Sequence, residues 1–138
     1  MVRAKFYAEV SELSNVIDYI NETLEKNGWE KKEMPVIDVA VEEIFVNIAL
    51  YAYEKISDGE SSVVVSLETF DDHVEISLED SGIEYNPLLK EDPDVTLSAQ
   101  EREIGGLGIY MVKKSMDDVT YKRVDGKNIL TLKKNKSK

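Results

Sequence analysis

Glu43 and Asn47 lie four residues apart in the apolar stretch 36–50. At about 100° per residue an i, i+4 pair sits roughly 40° apart on one helix face. Here the pair is flanked by Val39, Ala40, Ile44 and Leu50. A carboxylate and an amide oxygen that project together from an apolar wall need partners, and they suit a hydrated metal ion and the phosphates it carries. The plainer alternative is that Glu43 belongs to a solvated face shared with Glu42 and Asp38, while Asn47 bonds a neighbouring element.

Two glycine segments follow. In Leu78-Glu79-Asp80-Ser81-Gly82, an Asp at a strand end can accept a hydrogen bond from an exocyclic amine such as that of adenine, and Gly82 lets a flat base approach the backbone. The same residues also suit a turn in which Asp80 bonds its own backbone. In Ile104-Gly105-Gly106-Leu107-Gly108-Ile109-Tyr110, glycines at a loop-to-helix junction expose N–H groups at the positive end of the helix dipole, where phosphate oxygens can be held. Arg102 and Lys113 stand nearby in sequence, and the alternative is a hinge before an ordinary helix. Neither segment has P-loop or Rossmann spacing. The set as a whole points to a nucleotide.

The elements that must position these residues are legible from periodicity. Residues 2–10 alternate as a half-buried strand. Ser11 is the expected N-cap of an amphipathic helix carrying Leu13, Val16, Ile17, Ile20 and Leu24, which ends at Asn27-Gly28. Pro35 opens the apolar helix, expected to run to about Glu54. Strands are predicted at 63–70 and 73–78 around Asp71-Asp72, and at 119–124 and 128–132 around Asp125-Gly126. Between them, 79–106 loses periodicity, which marks 84–103 as a lid candidate ahead of a helix from 108 to 116. The basic tail 133–138 is expected to fray. This order gives an α+β, two-layer sandwich: a mixed, mostly antiparallel sheet with helices on one face.

Composition narrows the chemistry. At 138 residues the chain is one domain's worth. It has no cysteine and a single histidine, His73, which excludes disulfides, thiolate chemistry and a multi-histidine metal site. A net charge of −11 argues against direct nucleic-acid binding. No apolar run is long enough to span a bilayer, and residues 1–7 alternate instead of forming a signal peptide, so a cytoplasmic protein with no membrane partner is expected.

The ordered set Ala40-Val-Glu-Glu43, Asn47, Ala52-Tyr53, Asp80-Ser-Gly82, Asn86-Pro-Leu88, Gly105-Gly-Leu-Gly-Ile-Tyr110, Met116-Asp117 and the Asp125-Gly126 hairpin resembles the GHKL, or Bergerat-fold, ATPases. Within them it is most similar to the stand-alone anti-sigma factor serine/threonine kinases. The resemblance spans nearly the whole chain, as a single ATP-binding domain over 1–138. It implies ATP and Mg²⁺ as cofactors, with Asn47 holding Mg²⁺, Asp80 binding the adenine amine, and Gly82 lining the base pocket. It further implies that Gly105, Gly106, Leu107 and Gly108 wrap the phosphates, that Glu43 is the general base, and that Arg102 neutralises the terminal phosphate. The implied partners are a sigma factor and a STAS-type antagonist, with a homodimer possible through the first strand and helix. Two positions depart from the family: Tyr51 stands where a histidine is common, and a threonine of the final hairpin has no clear equivalent, Asn128 or Thr131 taking its place.

Three functions fit that resemblance. The leading one is an ATP-dependent kinase that phosphorylates the antagonist. The second is a non-catalytic, nucleotide-gated binding module. The third, the catalytic half of a split histidine kinase, is disfavoured because no dimerisation helix pair with a phospho-accepting histidine is evident and His73 falls in a predicted strand.

Overall fold

The computed structural model describes residues 1–54, 60–89 and 106–137, with 106 and 107 described by their backbone. In chain order the elements are β1 (Val2–Tyr7), α1 (Leu13–Lys26), α2 (Met34–Asn47), β2 (Ser62–Thr69), β3 (His73–Asp80), α3 (Gly106–Ser115), β4 (Asp118–Val124) and β5 (Lys127–Asn135). The strands form one five-stranded sheet in the order β1-β2-β3-β5-β4, and every neighbouring pair is antiparallel. The α+β class is as expected, and the sheet is more uniform than the mixed one anticipated.

Alternation creates the two layers. Val63, Val65 and Leu67 of β2, Val74, Ile76 and Leu78 of β3, and Leu130 and Leu132 of β5 are buried on one face. Their odd neighbours, Ser66, Ser77, Glu79 and Thr131 among them, look the other way. On the buried face α1 contributes Val16, Ile20 and Leu24 at four-residue intervals, all fully buried. Helix α2 packs against both α1 and α3 and therefore buries two stripes, Ile37, Ala40, Val41, Ile44 and Phe45 among them. That is why its sequence reads as apolar nearly all round.

Several boundaries differ from expectation, for local reasons. Strand β1 stops at Tyr7 and a 3₁₀ turn, Val10–Glu12, precedes α1, so Ser11 lies inside that turn and the residue before α1 is Glu12, with no side-chain cap bond. Helix α2 keeps α geometry only to Asn47 and widens into a π turn, Ile48–Ala52, instead of running to Glu54. Strand β3 continues through Glu79 and Asp80, and Pro87–Leu89 forms a 3₁₀ turn, so the irregular segment begins later than 79.

The tail is the clearest correction. Residues 133–135 belong to β5, paired with His73, Val74 and Glu75. Beyond them Lys136 N–H donates to the Asp72 carbonyl at 2.8 Å and Ser137 N–H to Glu33 Oε1 at 2.6 Å. Burial alone would raise the Glu33 carboxyl, but bonds from the Ser137 and Glu30 backbone and the charge of Lys136 bring it below the ordinary carboxylate range. Lysines looked like solvent-exposed punctuation, whereas the strand needs only their backbones for its ladder.

Candidate nucleotide site

Register builds the polar end of the sheet. Asp80 of β3 pairs with Val63 of β2 on one side and Asn128 of β5 on the other, and Asn128 pairs with Arg123 of β4. Two residues back along the strands, Leu78, Leu130 and Tyr121 form the next row on the same face. A polar row thus borders an apolar one beneath the helices.

Asp80 is buried, and its Oδ1 accepts the Gly82 N–H at 2.9 Å and Asn128 Nδ2 at 3.0 Å. Asn128 Nδ2 also donates to the Ile83 carbonyl at 2.7 Å, while its Oδ1 accepts the Tyr121 hydroxyl at 2.6 Å and the Tyr85 N–H at 3.3 Å. Two acceptors on one side of the amide and a backbone donor on the other fix its orientation. The turn expected for the Asp-x-Gly tripeptide is present. Asp80 bonds its own turn through Oδ1, and among the described residues no hydrogen-bond donor reaches Oδ2, which suits it to a donor in the cavity. Burial raises the Asp80 carboxyl above its ordinary value, opposed by the bonds from Asn128 and Gly82 and by the nearby Arg123.

The π turn of α2 meets this loop. The Ala52 carbonyl accepts the Ile83 N–H at 3.0 Å, and a Cβ on Gly82 would lie 2.7 Å from the Ala52 carbonyl carbon. Only glycine fits so close an approach. Tyr53 donates its hydroxyl to the Ser62 carbonyl at 2.5 Å and accepts the Ser81 N–H at 2.8 Å. Arg123 Nη1 caps the Gly82 carbonyl at 2.9 Å.

Between the sheet end and the π turn is a cavity of about 380 Å³, within the size range of small-molecule sites. Asp80, Asn128 and Asn47 supply its polar atoms, and Ile44, Ile48, Leu78, Ile109 and Leu130 much of its apolar wall. Tyr51 also lines it and is largely exposed. Asn47 Nδ2 donates to Glu43 Oε1 at 3.1 Å, and among the described residues no hydrogen-bond donor reaches the amide Oδ1. That donor set fits a hard cation. Among the described residues no three His, Asp or Glu side chains gather around a common point, so a cation at Asn47 would draw its other ligands from phosphates and water.

Gly108, in the first turn of α3, abuts Glu43 so closely that any Cβ would run into the carboxylate. The first-turn N–H groups of α3, from Gly106 onward, have no partner within their own helix. Thus Asn47 and Asp80 line one cavity, Glu43 is bonded to Asn47 and abuts Gly108 just outside that lining, and Gly82 bonds Asp80 Oδ1. Arg102, Gly105 and most of the 84–103 lid candidate lie outside the described residues. Tyr121 and Arg123 carry no signal in the sequence, and Tyr53 stands there only as part of the Ala52-Tyr53 pair, with no role. Tyr53 bonds both the Ser62 carbonyl and the Ser81 N–H, Tyr121 bonds Asn128 and Arg123 bonds the Gly82 carbonyl, each from a stretch that reads as ordinary amphipathic helix or strand.

The chain belongs to the histidine kinase-like ATPase domain family, which it matches over residues 6–134. Over 110 residues it is 28% identical to the serine-protein kinase RsbW of Bacillus mycoides (strain KBAB4), covering 77% of this chain and 67% of that protein. It is 26% identical over 110 residues to the serine-protein kinase RsbW of Listeria monocytogenes serovar 1/2a, covering 77% and 69% respectively. A chain of the SiaB-SiaC complex from Pseudomonas aeruginosa has the same fold, with a TM-score of 0.61 over 98% of this chain and 89% of that one at 16% identity.

The Asn128 contacts carry a pH prediction. If Asp80 Oδ2 receives a base amine, the ionised carboxylate is the stronger acceptor, and its folded-state carboxyl lies above the ordinary value of 3.8. Burial disfavours the charged form, so protonation sets in at a higher pH than for an exposed Asp, and adenine-nucleotide affinity should fall as pH drops towards that raised value. Asn128→Ala removes a donor to the ionised form and should move this acid limb to higher pH. At neutral pH it should weaken ATP binding about 5- to 30-fold, the equivalent of one lost charge-assisted bond. Titration calorimetry from pH 5 to 8 reads both effects.

Proposed function

We propose that this protein is an ATP- and Mg²⁺-dependent serine/threonine kinase of the partner-switching type, acting in the cytoplasm on a STAS-domain antagonist and restraining a sigma factor. The observation that carries the reading is the Glu43–Asn47 contact at 3.1 Å, seated between the cavity and the α3 N-terminus. The serine-protein kinase names of the relatives support it.

In this reading Asp80 Oδ2 accepts the adenine amine, with Asn128 and Gly82 holding the carboxylate in place. Asn47 Oδ1 would hold Mg²⁺, which when bound supplies neutralisation of phosphate charge. The backbone N–H groups of Gly105, Gly106, Leu107 and Gly108 receive phosphate oxygens at the α3 N-terminus, and Arg102 adds positive charge at the terminal phosphate. Glu43 takes the proton from the substrate hydroxyl as its oxygen bonds to the γ-phosphorus and the bond to the ADP oxygen breaks. The edge strand β1 is the surface for a homodimer.

Tyr51, at the mouth of the cavity, favours a second reading in which nucleotide sets partner affinity and nothing is transferred. Incubation with labelled ATP and a purified STAS-domain protein separates the two: phosphoserine on the antagonist supports the kinase, and saturable ATP binding with no transfer supports the module.

A further inference from the structure

Helices α2 and α3 leave an open groove of about 660 Å³, lined by residues other than those of the base cavity, walled by Pro35, Val36, Val39 and Val46 on α2 and by Met111 and Val112 on α3. Val39 is 62% exposed and Met111 52%, which is unusual for apolar residues facing each other across a helix pair. Neighbouring apolar exposure of this kind marks an interaction surface more often than scattered single residues do. From Pro35 to Val46 the trough runs roughly 16 Å at 1.5 Å rise per residue, about three turns of a docked helix. Glu43 and Gly108 line the same groove, and Glu43 is bonded to Asn47 in the nucleotide cavity. Glu43, on the groove wall, is thus one hydrogen bond away from a cavity-lining residue.

We infer that this groove is the docking site for the protein substrate, and that it takes an amphipathic helix laying apolar side chains between Val36, Val39 and Met111, with cationic residues flanking that face and the hydroxyl-bearing residue at the Glu43 end. The inference rests on the kinase reading above. Spacing of apolar residues at i, i+3 and i+4 on the partner matches a helix-in-groove contact. The charge argues for a different protein instead of a second copy: Glu42 and Glu43 stand on the wall, and another chain of net charge −11 would bring carboxylates to carboxylates. A partner with lysine or arginine beside its apolar stripe is attracted there and steered by the same field.

The test uses a purified STAS-domain protein as probe, with Val39→Arg and Met111→Glu, both exposed enough to leave the fold intact. Expected is at least a tenfold rise in KM for the protein substrate and a matching loss of binding, with KM for ATP unchanged and the monomer–dimer equilibrium unaltered by sedimentation. Variants that bind and phosphorylate the probe like wild type overturn the inference. So does a changed oligomeric state, which makes the groove a self-interface, or a changed ATP affinity, which makes it part of nucleotide closure. If wild type binds the probe through the groove without transferring phosphate, the kinase reading fails and the docking site stands. If wild type transfers phosphate and both variants do so equally, the kinase reading stands and the docking site fails. If wild type neither binds nor phosphorylates it, both fall.

Discussion

Glu43→Gln should lower phosphoryl transfer about 10²- to 10⁴-fold, the usual contribution of a positioned general base, while ATP affinity stays within about twofold of wild type. The substitution is isosteric and keeps a carbonyl-type oxygen to accept Asn47 Nδ2, the contact seen at 3.1 Å. The side chain also keeps its place against Gly108, where nothing larger than a hydrogen fits on the facing Cα. What is lost is the ability to accept a proton. Single-turnover transfer to a STAS-domain protein, with nucleotide titration in parallel, measures both quantities. Equal loss of binding and transfer would mean that Glu43 is there to hold Asn47 and not to take a proton.

Asp80→Asn should have a comparably large effect on recognition. Gly82 N–H and Asn128 Nδ2 both donate to one oxygen of residue 80, so an amide there must turn its oxygen towards them and its NH₂ into the cavity. Adenine's exocyclic amine would then face a donor instead of an acceptor. Loss of a charge-assisted bond together with a donor–donor clash should weaken ATP at least about 100-fold, about 2.8 kcal/mol at 1.4 kcal/mol per tenfold. The same inversion should improve binding of a 6-oxo purine nucleotide such as inosine triphosphate relative to ATP. The fold should not suffer, because burial already disfavours the Asp80 charge. Competition between the two nucleotides on wild type and variant reads the exchange, and an unchanged preference would place the base elsewhere.

The parts of this account visible in the sequence are those set by local spacing. An i, i+4 pair must share a helix face, and Glu43 and Asn47 are in contact. The alternation legible over 73–78 continues in the structure to Asp80, which shares the buried face with Leu78, and Asp125 and Gly126 adopt positive φ of 50° and 78° in the turn between β4 and β5. What spacing could not give are contacts closed by tertiary structure. Asn128 stood as one of two alternatives until register placed it opposite Asp80 and left Thr131 bonding Ser77 on the other face at 2.8 Å. Tyr53 and Arg123 serve the β3 exit loop through single bonds to groups distant in sequence. The π turn after Asn47 was hidden because its residues, Ile48-Ala49-Leu50-Tyr51-Ala52, are as helix-compatible as those before them. Its widening goes with the Ala52 carbonyl accepting from Ile83, and π turns often occur at functional sites for this kind of reason. Val39 and Leu50, expected to pack beside the polar pair, are exposed, because the buried stripes of α2 face α1, α3 and the sheet.

The central claim is that Asn47 and Asp80 hold opposite ends of one Mg²⁺-bearing adenine nucleotide. Titration calorimetry with ATP, with and without Mg²⁺, on wild type and Asn47→Ala tests it most directly. The account predicts saturable one-to-one binding that Mg²⁺ strengthens in wild type, and weaker binding with little Mg²⁺ dependence in the variant. Binding that is absent in wild type, or equally strong and equally Mg²⁺-dependent in both proteins, would contradict it.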